Sequence, residues 1–158
     1  MSTILVFTPF NAELPSSSPA ELGVTKNRPY VAFGDSGYEY AHFTAVAPQG
    51  LPASLSLHIY FIMEAATSGS VVMEAAVEAV TPGDSLDLDA ATSFDTYNSV
   101  TAGVPAAAGY LTSASVALSN DDSIEAGDLF RIALRRAGAD ASDTATGDCR
   151  VLALELRG

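Results

Sequence analysis

The sequence contains no tryptophan, a single cysteine and few basic residues. Among its 158 residues, seven basic side chains stand against 19 acidic ones, for a formal net charge of −12. Binding to nucleic acid depends on Lys and Arg neutralising phosphates, and an anionic membrane surface also attracts basic segments. No run approaches the roughly 20 apolar residues of a membrane-spanning helix, and residues 1–7 lack the positive start of a signal peptide. We therefore expect neither a nucleic-acid nor a membrane partner.

Residues that enzymes use for catalysis are scarce. Cys149 is alone, so no internal disulfide can form, and its strand-like neighbours predict a packed thiol and not a nucleophile. His42 and His58 are the only histidines, and neither begins a metal-binding spacing. There is no nucleophile elbow, phosphate-binding loop or dinucleotide motif. The sequence predicts no enzyme activity, no catalytic residue, no cofactor and no metal site.

The abundant carboxylates leave two alternatives open. A glycosidase would need two carboxyl groups facing one cleft, and the lack of tryptophan leaves few sugar platforms. Calcium could bind the segment 84–89 (DSLDLD), or Asn120, Asp121 and Asp122 together with Asp128, although the first lacks the Gly and Glu of an EF-hand loop. Solvated loop carboxylates explain both segments more simply.

Hydrophobic residues make up 48% of the chain and charged residues only 16%. A surface with few charges and many alanines suits a subunit that packs against neighbours, because charged groups are depleted in the cores of interfaces. A GC-rich genome would produce the same alanine content, so the composition alone does not establish self-association.

Period-two alternation is the strongest pattern in the chain. The segment 55–63 places Leu, Leu, Ile, Phe and Met on one face and polar or aromatic residues on the other, which is typical of a half-buried strand. The Glu74 to Glu78 spacing also allows a helix, but the valines and flanking turns favour a strand. Similar segments occur at 29–33, 40–46, 71–80, about 94–100, 110–119, 129–136 and 149–157. Seven or eight strands without a helix predict an all-β, single-domain antiparallel β-sandwich of the jelly-roll or Greek-key type.

The alternation also predicts which side chains are buried in the last two strands. Phe130, Ile132 and Leu134 should point inward, with Arg131 and Arg135 outward. In the final strand, the same pattern places three leucines on one face: Leu152, Leu154 and Leu156.

The N-terminal segment differs in composition from the rest. Its first residues are apolar, and Pro15, Pro19 and the serines at 16–18 follow. We predict an extended arm and linker at 1–26 and the β-sandwich domain at 27–158. The arm could pair with its own sheet, or it could add a strand to a neighbouring subunit. The candidate contacts with another subunit or a capsid are Ile4, Leu5, Val6, Phe7 and Phe10.

From residue 27 onward the chain resembles a family of small bacteriophage virion proteins, found as capsid decoration proteins and as head domains of tail-associated proteins. The resembling segments are 27–50, 55–61, 68–80 and 126–157. The last contains a loop of the pattern D-x-x-D-T-x-x-G-D, made of Asp140, Asp143, Thr144, Gly147 and Asp148. The resemblance implies a jelly-roll-like sandwich, commonly trimeric, with a structural or adhesive role and no catalytic residues.

Three functions follow as expectations. The first is a bacteriophage capsid decoration (cement) protein, a homotrimer that binds the major capsid protein or other virion proteins and is located in the virion after assembly in the host cytoplasm. The second is a tail-fibre or tail-tip knob that recognises host glycans through exposed tyrosines, with Tyr38, Tyr40, Tyr97 and Tyr110 as candidates. The third is a subunit of a non-viral extracellular filament.

Overall fold

A computed structural model describes all 158 residues. It has ten strands and one short 3₁₀ helix, Pro9–Asn11, between the first two. The strands are β1 (Thr3–Phe7), β2 (Glu21–Thr25), β3 (Arg28–Phe33), β4 (Tyr40–Val46), β5 (Ser56–Met63), β6 (Ser70–Val80), β7 (Asn98–Gly103), β8 (Thr112–Ala117), β9 (Leu129–Arg136) and β10 (Cys149–Arg157). No helix is both long and apolar enough to cross a membrane.

The strands form two antiparallel sheets. Sheet A has the order β2-β3-β10-β5-β8, with β1 paired to the other half of β10, and sheet B has the order β4-β9-β6-β7. From β3 to β10, the chain crosses from one sheet to the other at every connection except the one between β6 and β7. The eight strands β3 to β10, arranged in two facing sheets in this order, form a jelly roll. The predicted all-β sandwich is confirmed, and the 71–80 segment is a strand.

The core lies between the sheets and follows the predicted alternation on β5 and β9. The five apolar residues of the predicted inner face of segment 55–63 are all buried, four of them on β5 and Leu55 directly before it. On β9, Phe130, Ile132 and Leu134 are buried while Arg131 and Arg135 point outward. Alternation works on these strands because neither contains an extra residue. The register is unbroken from β9 to both of its neighbours and from β5 to β8.

The prediction for the last strand is wrong at Leu152. The β10–β5 register shifts between Val151 and Ala153, so β10 contains a bulge. Val151 is buried before the bulge and Leu154 and Leu156 after it, while Leu152 is left on the outer face of sheet A. An extra residue in one strand reverses the facing of the residues after it.

The predicted N-terminal arm lies against its own sandwich within the single chain. β1 pairs with β10, Phe7 is buried and packs 5.8 Å from Phe43, and Ile4 and Leu5 are half-buried against the core. Val6 and Phe10 are 58% and 71% exposed. Contacts of these five residues with another subunit stay a prediction. Within the chain, Val6 and Phe10 are the two that remain available for such contacts.

A tight hairpin joins β2 to β3. Thr25 pairs with Arg28, and Lys26 and Asn27 between them have φ of 49° and 62°. Two consecutive positive φ values are the geometry of a two-residue type I′ turn, where asparagine is favoured. The hairpin sets Lys26 and Arg28 at one end of sheet A.

Candidate ligand-binding face

Polar and aromatic side chains form rows across the outer face of sheet B. Strand register pairs Arg135 with Tyr40 on one side and with Glu74 on the other. Directly paired residues on one face of a sheet lie close enough for their side chains to interact. The first row is therefore an aromatic ring, a guanidinium group and a carboxylate side by side.

Arg135 is the centre of this row. Its Nε lies 2.6 Å from Oε2 of Glu74. Its guanidinium carbon lies 4.0 Å from the ring centroid of Tyr38, 3.6 Å from that of Tyr97 and 6.0 Å from that of Tyr40. Burial opposes the charge of Arg135, but hydrogen bonds to Glu74 and Tyr40 and the negative charge of Glu74 together outweigh burial and raise the pKa of the guanidinium. We call Tyr38, Tyr40, Tyr97, Arg135 and Glu74 the tyrosine platform.

The tyrosines reach the platform from two parts of the chain. Tyr40 begins β4, Tyr38 precedes it in the β3–β4 turn, and Tyr97 ends the long β6–β7 connection. That connection passes over the sheet, where the small outward-facing residues Ala76 and Ala133 are fully covered. Alanines at these positions leave room for the overlying chain.

Phe94 lies over the middle of the same face. Its ring centroid is 5.2 Å from that of His42 and 5.1 Å from the guanidinium carbon of Arg131. Burial, followed by the charge of Arg131, lowers the pKa of His42. His42 is half-buried on the outward-facing side of β4, where burial and Arg131 both favour its uncharged form.

A second ion pair lies further along the sheet. Arg131 contacts the buried carboxylate of Glu78, with Nη2 2.8 Å from Oε1, and Glu78 also accepts the Ser93 backbone N–H. An open cleft of about 290 Å³ begins here, lined by Thr44, Glu78, Val80, Leu88, Leu129 and Arg131. Thr44 follows Tyr40 by four residues on β4, and Leu129 precedes Arg135 by six residues on β9. At about 3.3 Å per residue, the cleft therefore lies roughly 13–20 Å from the platform row.

The platform leaves one aromatic surface open. Tyr38 is 46% exposed although one side of its ring faces Arg135. Tyr97 is half-buried, and burial raises the pKa of its phenol, so the hydroxyl stays protonated. Flat rings beside a fixed guanidinium and carboxylate can stack an apolar ligand face and hydrogen-bond its polar edge.

Three of the four candidate tyrosines converge at this place, and Tyr110 does not. Tyr110 is 66% exposed in the loop before β8, a strand of the other sheet. Sequence spacing could not have shown the convergence, because it depends on the β6–β7 connection folding back over sheet B.

The carboxylates considered for calcium accept hydrogen bonds from the chain itself. Asp128 accepts from the Thr81 hydroxyl and the Glu125 N–H, and Asp122 accepts from the Ala79 N–H. Asp87 accepts from the Asp89 N–H. The structure brings together no group of three or more His, Cys, Asp or Glu side chains suited to a metal ion.

Sequence reasoning missed the role of Arg136. Its side chain is fully buried, and its guanidinium contacts both carboxylate oxygens of Asp143 at 2.9 and 2.7 Å. It also donates to the backbone carbonyls of Phe33, Gly147 and Ala145, so all of its N–H groups have acceptors. Within the D-x-x-D-T-x-x-G-D loop, Asp143 thus fastens the loop to β9.

Comparisons with known proteins give likeness in fold only. No family model and no curated protein matches the chain. A crystal structure of accessory secretory proteins 1, 2 and 3 in Streptococcus pneumoniae is 14% identical, with 96% of this chain and 99% of that chain covered and a TM-score of 0.47. A carbohydrate-binding module of type CBM28, specific for non-crystalline cellulose, is 6% identical, with coverages of 92% and 84% and a TM-score of 0.47.

Neither of these structures is a virion protein. One is a bacterial secretory accessory protein and the other a carbohydrate-binding module. The expectations of a bacteriophage capsid decoration protein and of a virion location are corrected on this finding. Because fold alone does not assign function, the residues of this chain have to carry any functional proposal.

Proposed function

We propose that the protein is a non-catalytic carbohydrate-binding β-sandwich that holds a glycan on the tyrosine platform. The observation that supports this most is the convergence of Tyr38, Tyr40 and Tyr97 around Arg135 on one sheet face. These residues come from separate parts of the chain, and the exposed Tyr38 ring is ready to accept a ligand.

Stacking is the first interaction that the platform offers. A pyranose ring has an apolar face of C–H groups, which packs on an aromatic ring and removes apolar area from water. Tyr38 offers such a surface, while Arg135 contacts the other side of the ring and is itself held by Glu74 and Tyr97. A ring that is held before binding loses little conformational freedom when the ligand arrives.

Hydrogen bonding to sugar hydroxyls is the second interaction. Glu74 supplies acceptor oxygens, and Arg135 supplies N–H donors beyond the Nε used for Glu74. The ion pair holds both groups in place, because Glu74 lies beside Arg135 on the neighbouring strand. A neutral glycan matches this balanced pair better than a charged one, since the positive and negative groups are present together.

A glycan array tests the proposal, with wild type compared with Tyr38→Ala and Tyr110→Ala. Both substitutions remove an exposed tyrosine, of 46% and 66% exposure, but only the first lies on the platform. We expect wild type and Tyr110→Ala to bind the same glycans. We expect Tyr38→Ala to lose about tenfold in affinity, or about 1.4 kcal/mol.

Two results would contradict this function. One is an array on which the wild-type protein binds no glycan. The other is a glycan whose binding falls with Tyr110→Ala and not with Tyr38→Ala, which would place the site elsewhere. Circular dichroism of both variants checks that the sandwich is intact.

A further inference from the structure

A groove lies on the outer face of sheet A, on the side of the sandwich opposite the tyrosine platform. Its volume is about 400 Å³, and it is bordered by the β2–β3 hairpin and the loop before β8. Ile62, Leu111 and Leu152 supply its apolar surface, with Leu152 turned outward by the β10 bulge. We call it the basic groove, lined by Thr25, Lys26, Arg28, Ile62, Gly109, Leu111 and Leu152.

The basic groove contains the two cations that have no partner within the chain. Five of the seven basic side chains form salt bridges, those of Arg131, Arg135, Arg136, Arg150 and Arg157. The remaining two, Lys26 and Arg28, both line the groove. In a chain with 19 acidic residues, two free cations beside an apolar surface mark a place for an apolar segment that bears carboxylates.

The chain itself contains a segment of this kind. Residues 84–89, the acidic loop, have the sequence DSLDLD and are exposed throughout. Leu86 and Leu88 are 40% and 50% exposed, and three aspartates alternate with them. Leucines would enter the apolar part of the groove while aspartates meet Lys26 and Arg28. The match is in charge and in hydrophobicity together.

One copy of the protein cannot make this contact with itself. The acidic loop belongs to the β6–β7 connection and Leu88 lines the cleft on sheet B, whereas Ile62 and Leu152 lie on the outside of sheet A. The two surfaces are on opposite faces of the sandwich. A contact between different surfaces of identical subunits is head-to-tail, and it produces a ring or a filament.

We propose that the protein self-associates head-to-tail, with the acidic loop of one copy in the basic groove of the next. The contact is small, so a single junction is weak and its strength falls as salt screens the charges. It does not depend on the tyrosine platform, whose row is distant from Leu88, and self-association can therefore hold or fail independently of glycan binding.

Charge reversal tests the proposal by sedimentation velocity of the full chain at low ionic strength. The groove variant is Lys26→Glu with Arg28→Glu, and the loop variant is Asp87→Lys with Asp89→Lys. Each variant alone places like charges at every junction, so we expect its dissociation constant to rise by about tenfold or more. An equimolar mixture restores opposite charges at the junctions between unlike variants, and we expect association to return in assemblies that contain both.

Recovery in the mixture supports the proposal, because it requires loop and groove to meet. A wild-type protein that stays monomeric at its highest soluble concentration would overturn it. So would association that neither reversal weakens, or variants that stay monomeric when mixed. Glu21→Lys with Glu125→Lys, two exposed sites outside both surfaces, carries the same change in net charge as the loop variant and controls for it. The groove variant changes the net charge in the opposite direction, and recovery in the mixture is its control.

Discussion

Arg135 and Arg136 are neighbours in sequence but have opposite environments. Arg136 points into the sandwich, where Asp143 and three backbone carbonyls occupy all of its N–H groups. Arg135 points outward, where one carboxylate holds it and two tyrosine rings flank it. The side chains are alike, so the difference comes from strand alternation and from what each sheet face meets.

The two arginines separate structural from functional use of the same residue type. A buried guanidinium must be fully paired because an unsatisfied buried charge is costly. At the surface, water shares this task, so the fold can leave donors of Arg135 free for a ligand. Pairing of every donor therefore marks a structural arginine, and incomplete pairing among aromatic rings marks a candidate site.

The largest expected effect comes from breaking the interior pair. Asp143→Ala leaves the buried Arg136 guanidinium without its carboxylate and the Val72 N–H without its acceptor. We expect a loss of about 3–5 kcal/mol in the free energy of unfolding. Asp140→Ala, an exposed aspartate in the same loop, should change it by less than about 1 kcal/mol. Denaturant unfolding compares them, and equal losses would remove the distinction between interior and surface.

Replacing the surface arginine should weaken binding more than stability. Arg135→Ala removes a partly exposed ion pair and its contacts with two rings, for which we expect about 1 kcal/mol in unfolding free energy. Affinity for a glycan found on the array should fall below detection, because Tyr38 and Glu74 both lose the group that positions them. A variant that is severely destabilised would instead show that Arg135 is structural like Arg136.

Glu155, a charged residue on β10 of sheet A, should make the stability of the protein depend on pH in the acid range. The Glu155 carboxylate accepts hydrogen bonds from Arg157, Thr3 and Tyr60, which lower its pKa to about 2 from a normal 4.5. A lowered folded-state pKa stabilises above the unfolded value, and this contribution is lost as pH falls from about 4.5 to about 2. Glu155→Gln should flatten the dependence of stability on pH in that window. An unchanged slope would mean that Glu155 is not held by these three donors.

The smallest change concerns reactivity alone. Cys149 is fully buried near Arg136, and burial raises the pKa of its thiol to about 12. We expect no labelling of the native protein by a thiol reagent at pH 8, and complete labelling in denaturant. Rapid labelling of the native protein would contradict this burial, because it would show that the interior around Arg136 is open to solvent.

The sequence predicted the sandwich and most of its buried faces, since strands without an extra residue, such as β5 and β9, follow period two. It failed at Leu152, because a bulge is set by the pairing of three strands and leaves no mark in the alternation. It also missed β2, whose exposed Leu22 and Val24 lie in a segment rich in proline and serine. The tyrosines of the platform were foreseen as residues, but their convergence was not.

Isothermal titration of the wild-type protein, Tyr38→Ala and Tyr110→Ala with one glycan from the array tests the central claim most directly. We expect wild type and Tyr110→Ala to bind with the same affinity, and Tyr38→Ala to bind about tenfold more weakly. Equal affinity for all three proteins would contradict the claim, because the tyrosines around Arg135 would then have no part in recognition.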